Sequence, residues 1–404
     1  MNLPDRPLAA LPRWGAAALL IATVLACVWN VRALEARNSV HEADIEHRLA
    51  LGERVDMDLY RAIDARVAAG ENYYEAAAKE HREFGMPTSP FVTIRTPVLA
   101  WTSALWGSDG WRAIAAFMWG ANVLAWYAAL RGRGRVEAAV GAGLAALFGM
   151  VAFIPDIPFS HELLAGLMLS LALALSVGRL WTGSLILAAC AIALRELALP
   201  FLLAWGSAGF LAGERAKVLS ICGTLMIIAL GLALHAFAVA GVREPGDLTS
   251  PGWSGMVGPA LALYGIHVTT LLQTLPVWLA GPLGVLPLLG WLAVGGRLGV
   301  FASAWFAGFI AAIAIFARQE NFYWMGLFVP AYGVGLAFAP RAVTDLFLAI
   351  RSASRPPPRT HSDYDDNAVK RLDAHRDHPT LVGSLNDQID YAPNQSDAEQ
   401  SESR

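Results

Sequence analysis

Two aspartates, Asp56 and Asp58, stand near the start of a polar stretch, ERVDMDLYRAIDARVAAGENYY, that begins at Glu53. A carboxylate held beside a hydroxyl can act as a general base, and a pair can hold a metal. Helical spacing separates these uses. If residues 56–69 form a helix, each residue turns about 100° from the last. Tyr60, Ile63 and Val67 then form one stripe with Asp56 at its centre, and Asp58 points to nearly the opposite side. Residues two apart on a helix do not share a face, so a metal bound by both would need extended backbone there. No metal is therefore assigned to the chain. A carboxylate on a buried stripe is costly unless something polar meets it, so Asp56 is expected to face a polar cavity between this insert and its neighbours. Asp also favours the N-cap position, and that structural reading of Asp56 stays open.

The elements that must position these groups are hydrophobic. Of the 404 residues, 56% are hydrophobic and 16% charged, against about 25% charged in an ordinary soluble domain. Apolar runs of about 20 residues recur, the length that crosses a hydrocarbon core of about 30 Å. The first is WGAAALLIATVLACVWNV, residues 14–31, and lacks a small-x-small cleavage pattern, so it reads as a retained helix. A polar region at 32–110 follows, then a span at 111–130 that ends in RGRGR. Further spans read at 137–155, 161–177, 180–194, 198–213, 217–240, 270–295, 298–316 and 323–340, with 258–275 a candidate re-entrant segment. The expected fold is an all-α, polytopic membrane protein of about ten crossings with a large first loop.

The net charge of −3 gives no sign of a nucleic-acid partner. Cys27, Cys190 and Cys222 lie in apolar runs without a CxxC pattern and read as buried packing residues. His235 and His267 lack partners at metal-ligand spacing and read as structural. Arg131, Arg133, Arg135, Arg179, Arg215, Lys217 and Arg297 fall on one side of the spans, which makes that side cytoplasmic, with both termini inside and the 32–110 loop outside. Residues 352–404, proline-rich and then polar, read as a disordered cytoplasmic tail.

Within the spans ionisable groups are scarce, which argues against a proton-coupled transporter. They gather on the outer side instead: Asp56 and Asp58, His161-Glu162, Arg195-Glu196, Arg243-Glu244, and Arg318 to Asn321. Each has an ordinary structural alternative. Glu162 at a helix start is favoured by the macrodipole, the Arg-Glu neighbours suit exposed ion pairs, and Tyr73, Tyr74, Trp101, Trp106, Tyr323 and Trp324 suit an aromatic belt.

These residues carry a resemblance. Asp56, Tyr60, Arg66 and Gly70, followed by RTPVLAW at 95–101, SHELLAG at 160–166, ALRELALPF at 193–201 and RQENFYW at 318–324, resemble the GT-C superfamily of membrane glycosyltransferases. In the RTPVLAW run, Thr96 stands where many members have proline. The resemblance covers most of residues 10–345. It implies transfer of a sugar from a polyprenyl-phosphate donor to a lipid or glycan acceptor at the outer face of a bacterial inner membrane. Asp56 would be the general base, and Arg318, Arg195 and Arg95 would offset the lipid phosphate. Glu162, Tyr60 and Tyr323 would complete the site. Two other classes fit the same residues: a flippase or other transporter for lipid-linked sugars, and a non-catalytic membrane scaffold.

Overall fold

The computed structural model describes residues 4–51 and 56–352, with backbone alone for 38–51, 56 and 352. The tail and the segment before Asp56 lie outside the described residues. Among the described residues fourteen α-helices make up the fold, and no sheet occurs. Outside the insert the helices are α1 (Arg13–Leu51), α4 (Val98–Leu130), α5 (Arg135–Phe148), α6 (His161–Leu175), α7 (Trp181–Leu194), α8 (Leu199–Leu211), α9 (Arg215–Gly241), α10 (Pro259–Val268), α11 (Val277–Ala293), α12 (Gly296–Phe316), α13 (Val329–Tyr332) and α14 (Ala339–Ser352). The insert contributes α2 (Asp56–Ala68) and α3 (Tyr73–Glu83). Six of the described segments are long and apolar enough to cross a membrane, and five further apolar helices are shorter. The chain is thus an integral, multi-pass helical membrane protein.

Helix α6 is the centre of the bundle. It is buried from His161 to Ala174 with Leu163 alone partly open, and it packs against α4, α7 and the 3-10 segment Gln319–Leu327. That last approach is close: a Cβ on Gly166 would lie 2.0 Å from the Gly326 carbonyl oxygen, so only glycine admits the contact. The lipid-facing surface is equally apolar; α9 exposes Leu219, Met226, Ile227, Leu230, Leu234 and Phe237.

The insert has a small core of its own. Leu59 and Ile63 of α2 and Tyr73 and Ala77 of α3 pack with Ile94, Ala100 and Val239. Each large aliphatic side chain buried this way stabilises the fold by about 1.5–3 kcal/mol. Just past the end of α2 stands Gly70, whose φ of 93° lets Glu71 N–H reach back to the Arg66 carbonyl at 3.1 Å. Asn72 then caps α3, its side chain accepting from Tyr74 N–H at 2.9 Å.

Several sequence expectations change. Helix α4 begins at Val98, well before residue 111, because Trp101, Leu105 and Trp106 continue its apolar surface across a bend at Gly107 (φ 71°). The expected span at 323–340 is a series of short helical pieces that leads into α14. Cys190 and Cys222 are exposed on the outer surfaces of α7 and α9, and Cys27 is half-buried; all three are free thiols. Their helices turn these positions away from the protein core, so small size there is not a packing requirement.

Polar contacts divide the bundle into two ends. At one, Arg133 donates to the Gly295 carbonyl at 2.9 Å, Arg297 and Lys217 meet Glu214 at 2.6 and 3.0 Å, and Arg341 meets Glu137 at 3.3 Å. At the other lie the insert, the α6 start, the α7–α8 break and the loop after α9.

Candidate functional site

Four of the residues singled out by the sequence meet beneath α2. Arg195 donates from Nε to Glu162 at 2.6 Å and also pairs with Glu196. Arg95 approaches the same Glu162 oxygen at 3.6 Å and donates from Nε to the Tyr60 hydroxyl at 3.1 Å. The Arg195 side chain is 2% exposed and that of Glu162 9%, so this is a buried charge cluster, unlike the exposed local pair that Arg195-Glu196 suggested. Tyr323 is within electrostatic reach of Arg95.

Local structure explains the convergence. Arg195 takes an extended conformation (φ −149°, ψ 107°) that ends α7 and aims its side chain back at the α6 start. The Arg95 backbone is pinned on three sides. His235 Nε2 lies 3.1 Å from the Ile94 carbonyl oxygen, the Tyr73 hydroxyl donates to the Arg95 carbonyl at 2.7 Å, and Thr96 donates to the Ala193 carbonyl at 2.5 Å. Thr96 thus ties this segment to the end of α7.

Asp56 opens α2 one turn before Tyr60, and its side chain lies outside the described residues. Asp58 pairs with Arg61 at 2.7 Å, and Arg61 also pairs with Asp156; all three side chains are roughly two-fifths exposed. Among the described residues no three metal-ligating side chains are gathered. Arg318 is engaged elsewhere: it meets Glu320 at 2.9 Å, the Ser250 hydroxyl at 3.2 Å and the Pro251 carbonyl at 3.3 Å. Arg243 and Glu244 do not form the expected local pair; Glu244 meets Arg82 at 3.1 Å. Arg82 also holds Asp247 at 2.7 Å, and that hydrogen bond keeps the Asp247 carboxyl well below the usual carboxylate range. The loop after α9 is thereby strapped to α3.

Two residues without an assigned role in the sequence reading belong here. His161 lies tilted against Tyr60, ring centroids 4.9 Å apart and planes at 59°, and is buried. Asp64 follows Tyr60 by four residues on the same stripe, and burial raises its carboxyl to about 6, an effect the nearby Ser103 hydroxyl only partly opposes. The i,i+4 spacing from Tyr60 was the available signal for Asp64.

An apolar groove of about 310 Å³ runs between α8 and α12, lined by Pro200, Leu203, Ala304 and Phe309 among others. Pro200 lies in the first turn after the Arg195–Glu196 break. The arrangement gathers two guanidiniums, two carboxylates and an imidazole next to α2. No family model matches the sequence, and comparison with curated proteins and with solved structures finds no match.

Proposed function

We propose that the protein is a GT-C-like glycosyltransferase that moves a sugar from a polyprenyl-phosphate donor to a lipid or glycan acceptor at the outer face of the membrane. The observation that carries this reading is the burial of Arg95 and Arg195 around Glu162 directly under the insert. The reaction is displacement at the anomeric carbon. The acceptor oxygen forms the new bond, the bond to the phosphate oxygen breaks, and the lipid phosphate leaves with the electron pair. Asp56 takes the acceptor proton. Arg95 and Arg195 offset the charge on the leaving phosphate, the Tyr60 hydroxyl holds Arg95, and Tyr323 approaches from the late outer segment. The α8–α12 groove suits the lipid chain.

In this reading the chain makes about ten crossings, the stretch from residue 32 to the start of α4 belongs to the outer loop, and RGRGR and both termini face the cytoplasm. Cysteine labelling from outside intact cells should then reach position 75, which is exposed, and miss position 133. The function itself is tested by incubating the purified protein in liposomes with a panel of polyprenyl-phosphate sugars. Transfer or donor turnover with one of them supports the reading, and inertness toward all of them with candidate acceptors present opposes it.

A further inference from the structure

His161 is 4% exposed, and its Nδ1 is buried without a hydrogen-bond partner. His267 also keeps a buried Nδ1 without a partner, and what sets His161 apart is the charges that surround it. The groups around it are the Tyr60 ring of α2, Arg95 of the extended segment, Glu162 on its own helix, and Arg195 and Glu196 at the α7–α8 break. Two guanidiniums and two carboxylates balance without any contribution from the imidazole. A proton on His161 would leave that buried cluster with an uncompensated positive charge, which is costly in a low dielectric.

An entering anion reverses the balance. Arg95 is the more available guanidinium, since its 3.6 Å approach to Glu162 is long, whereas Arg195 is held by two carboxylates. Ser160 caps α6 without a side-chain hydrogen bond, so the positive end of that helix adds to the attraction. One negative charge beside Arg95 leaves the cluster short by one positive charge, and a proton on the imidazole supplies it. The same proton turns the orphan Nδ1 into a donor.

We propose that His161 is a proton-coupled anion-binding residue, taking up one proton when a phosphodiester of a lipid-phosphate donor binds beside Arg95. The inference rests on the functional reading above. The bound state holds the extra proton, so affinity rises as pH falls, by up to about tenfold per pH unit while uptake is complete. The base at Asp56 and the proton on His161 are separate: the first receives the acceptor proton, the second accompanies the donor.

The test is calorimetric titration of the detergent-solubilised full chain with farnesyl methyl phosphate, repeated in buffers of different ionisation enthalpy. This ester has a single charge and no ionisation near neutrality, so any proton counted goes to the protein. Wild type should take up about one proton per ligand, and His161→Gln should take up close to none, with weaker and pH-independent binding. His267→Gln should keep the uptake, because His267 sits on α10 and no charge of the cluster acts on it. Binding without proton uptake in the wild type, or full uptake in His161→Gln, overturns the inference while leaving the anion site standing. Absence of binding by the wild type overturns both.

Discussion

At the insert end of the bundle, Arg195 and Arg95 share Glu162 in a setting where Arg195 is 2% exposed. At the opposite end, Arg297 meets Glu214 at the same 2.6 Å separation as Arg195 and Glu162, yet Arg297 is 55% exposed. The residue types and distances match, but the surroundings do not. An exposed pair contributes about 0–1 kcal/mol, because water and salt screen it and two long side chains must be ordered. A buried pair is of little net benefit over apolar packing, yet losing one partner costs about 3–5 kcal/mol, because the other charge is left uncompensated. The charges at the opposite end suit orientation in the membrane. Those under the insert are costly to keep, which suits a site that must meet an anion.

The largest effect should come from the proposed base. Asp56→Asn should lower transfer by about 10²–10⁴-fold with folding intact, whereas Asp58→Asn, whose residue faces Arg61 at the surface, should be mild. Equal loss from both in the transfer assay would place the chemistry elsewhere on α2.

Next is stability. Arg195→Ala should destabilise the protein by about 3–5 kcal/mol, and Arg297→Ala by less than about 1 kcal/mol. Unfolding of both variants in the same detergent checks the contrast, and similar costs would erase the distinction between the ends.

Asp64 gives a smaller, pH-dependent effect. Its carboxyl stands at about 6 in the fold against 3.8 in the unfolded chain. A raised acid binds its proton more tightly when folded, so stability is full below pH about 4 and falls as pH rises through about 6. The loss is up to about 3 kcal/mol for a shift of this size. Asp64→Asn should therefore be more stable than wild type at neutral pH and indistinguishable near pH 4. A gain that persists at pH 4 would assign the effect to packing.

The smallest effect is expected at Arg318. Because it holds Ser250 and Pro251 rather than Glu162, Arg318→Ala should weaken donor use less than Arg95→Ala does, and Glu320→Gln should be tolerated. Kinetics against donor concentration would separate these, and a larger loss at Arg318 would return the phosphate to that residue.

Much of this organisation was legible in the sequence because membrane helices announce themselves by length, and polar groups by their depth. The start of α4 was not, since Ser103, Gly107, Ser108 and Asp109 look like loop residues while a bend at Gly107 keeps the helix going. The burial of Arg195 was hidden for another reason. Its neighbour Glu196 supplies a local partner, whereas its decisive partner, Glu162, lies 33 positions away and is brought near only by the packing of α7 against α6. His161 could be seen beside Glu162, but an unpaired ring nitrogen is a property of the packed structure alone.

The central claim is that the lipid phosphate binds beneath the insert, and photo-crosslinking tests it most directly. A polyprenyl-phosphate analogue with a diazirine next to the phosphate would be bound to the protein in liposomes, irradiated and mapped by peptide mass. Labels should fall on residues 57–66, 91–97, 161–164 and 194–198, and excess unlabelled donor should suppress them. Labels concentrated at 131–137, 214–217 and 295–297 would contradict the account.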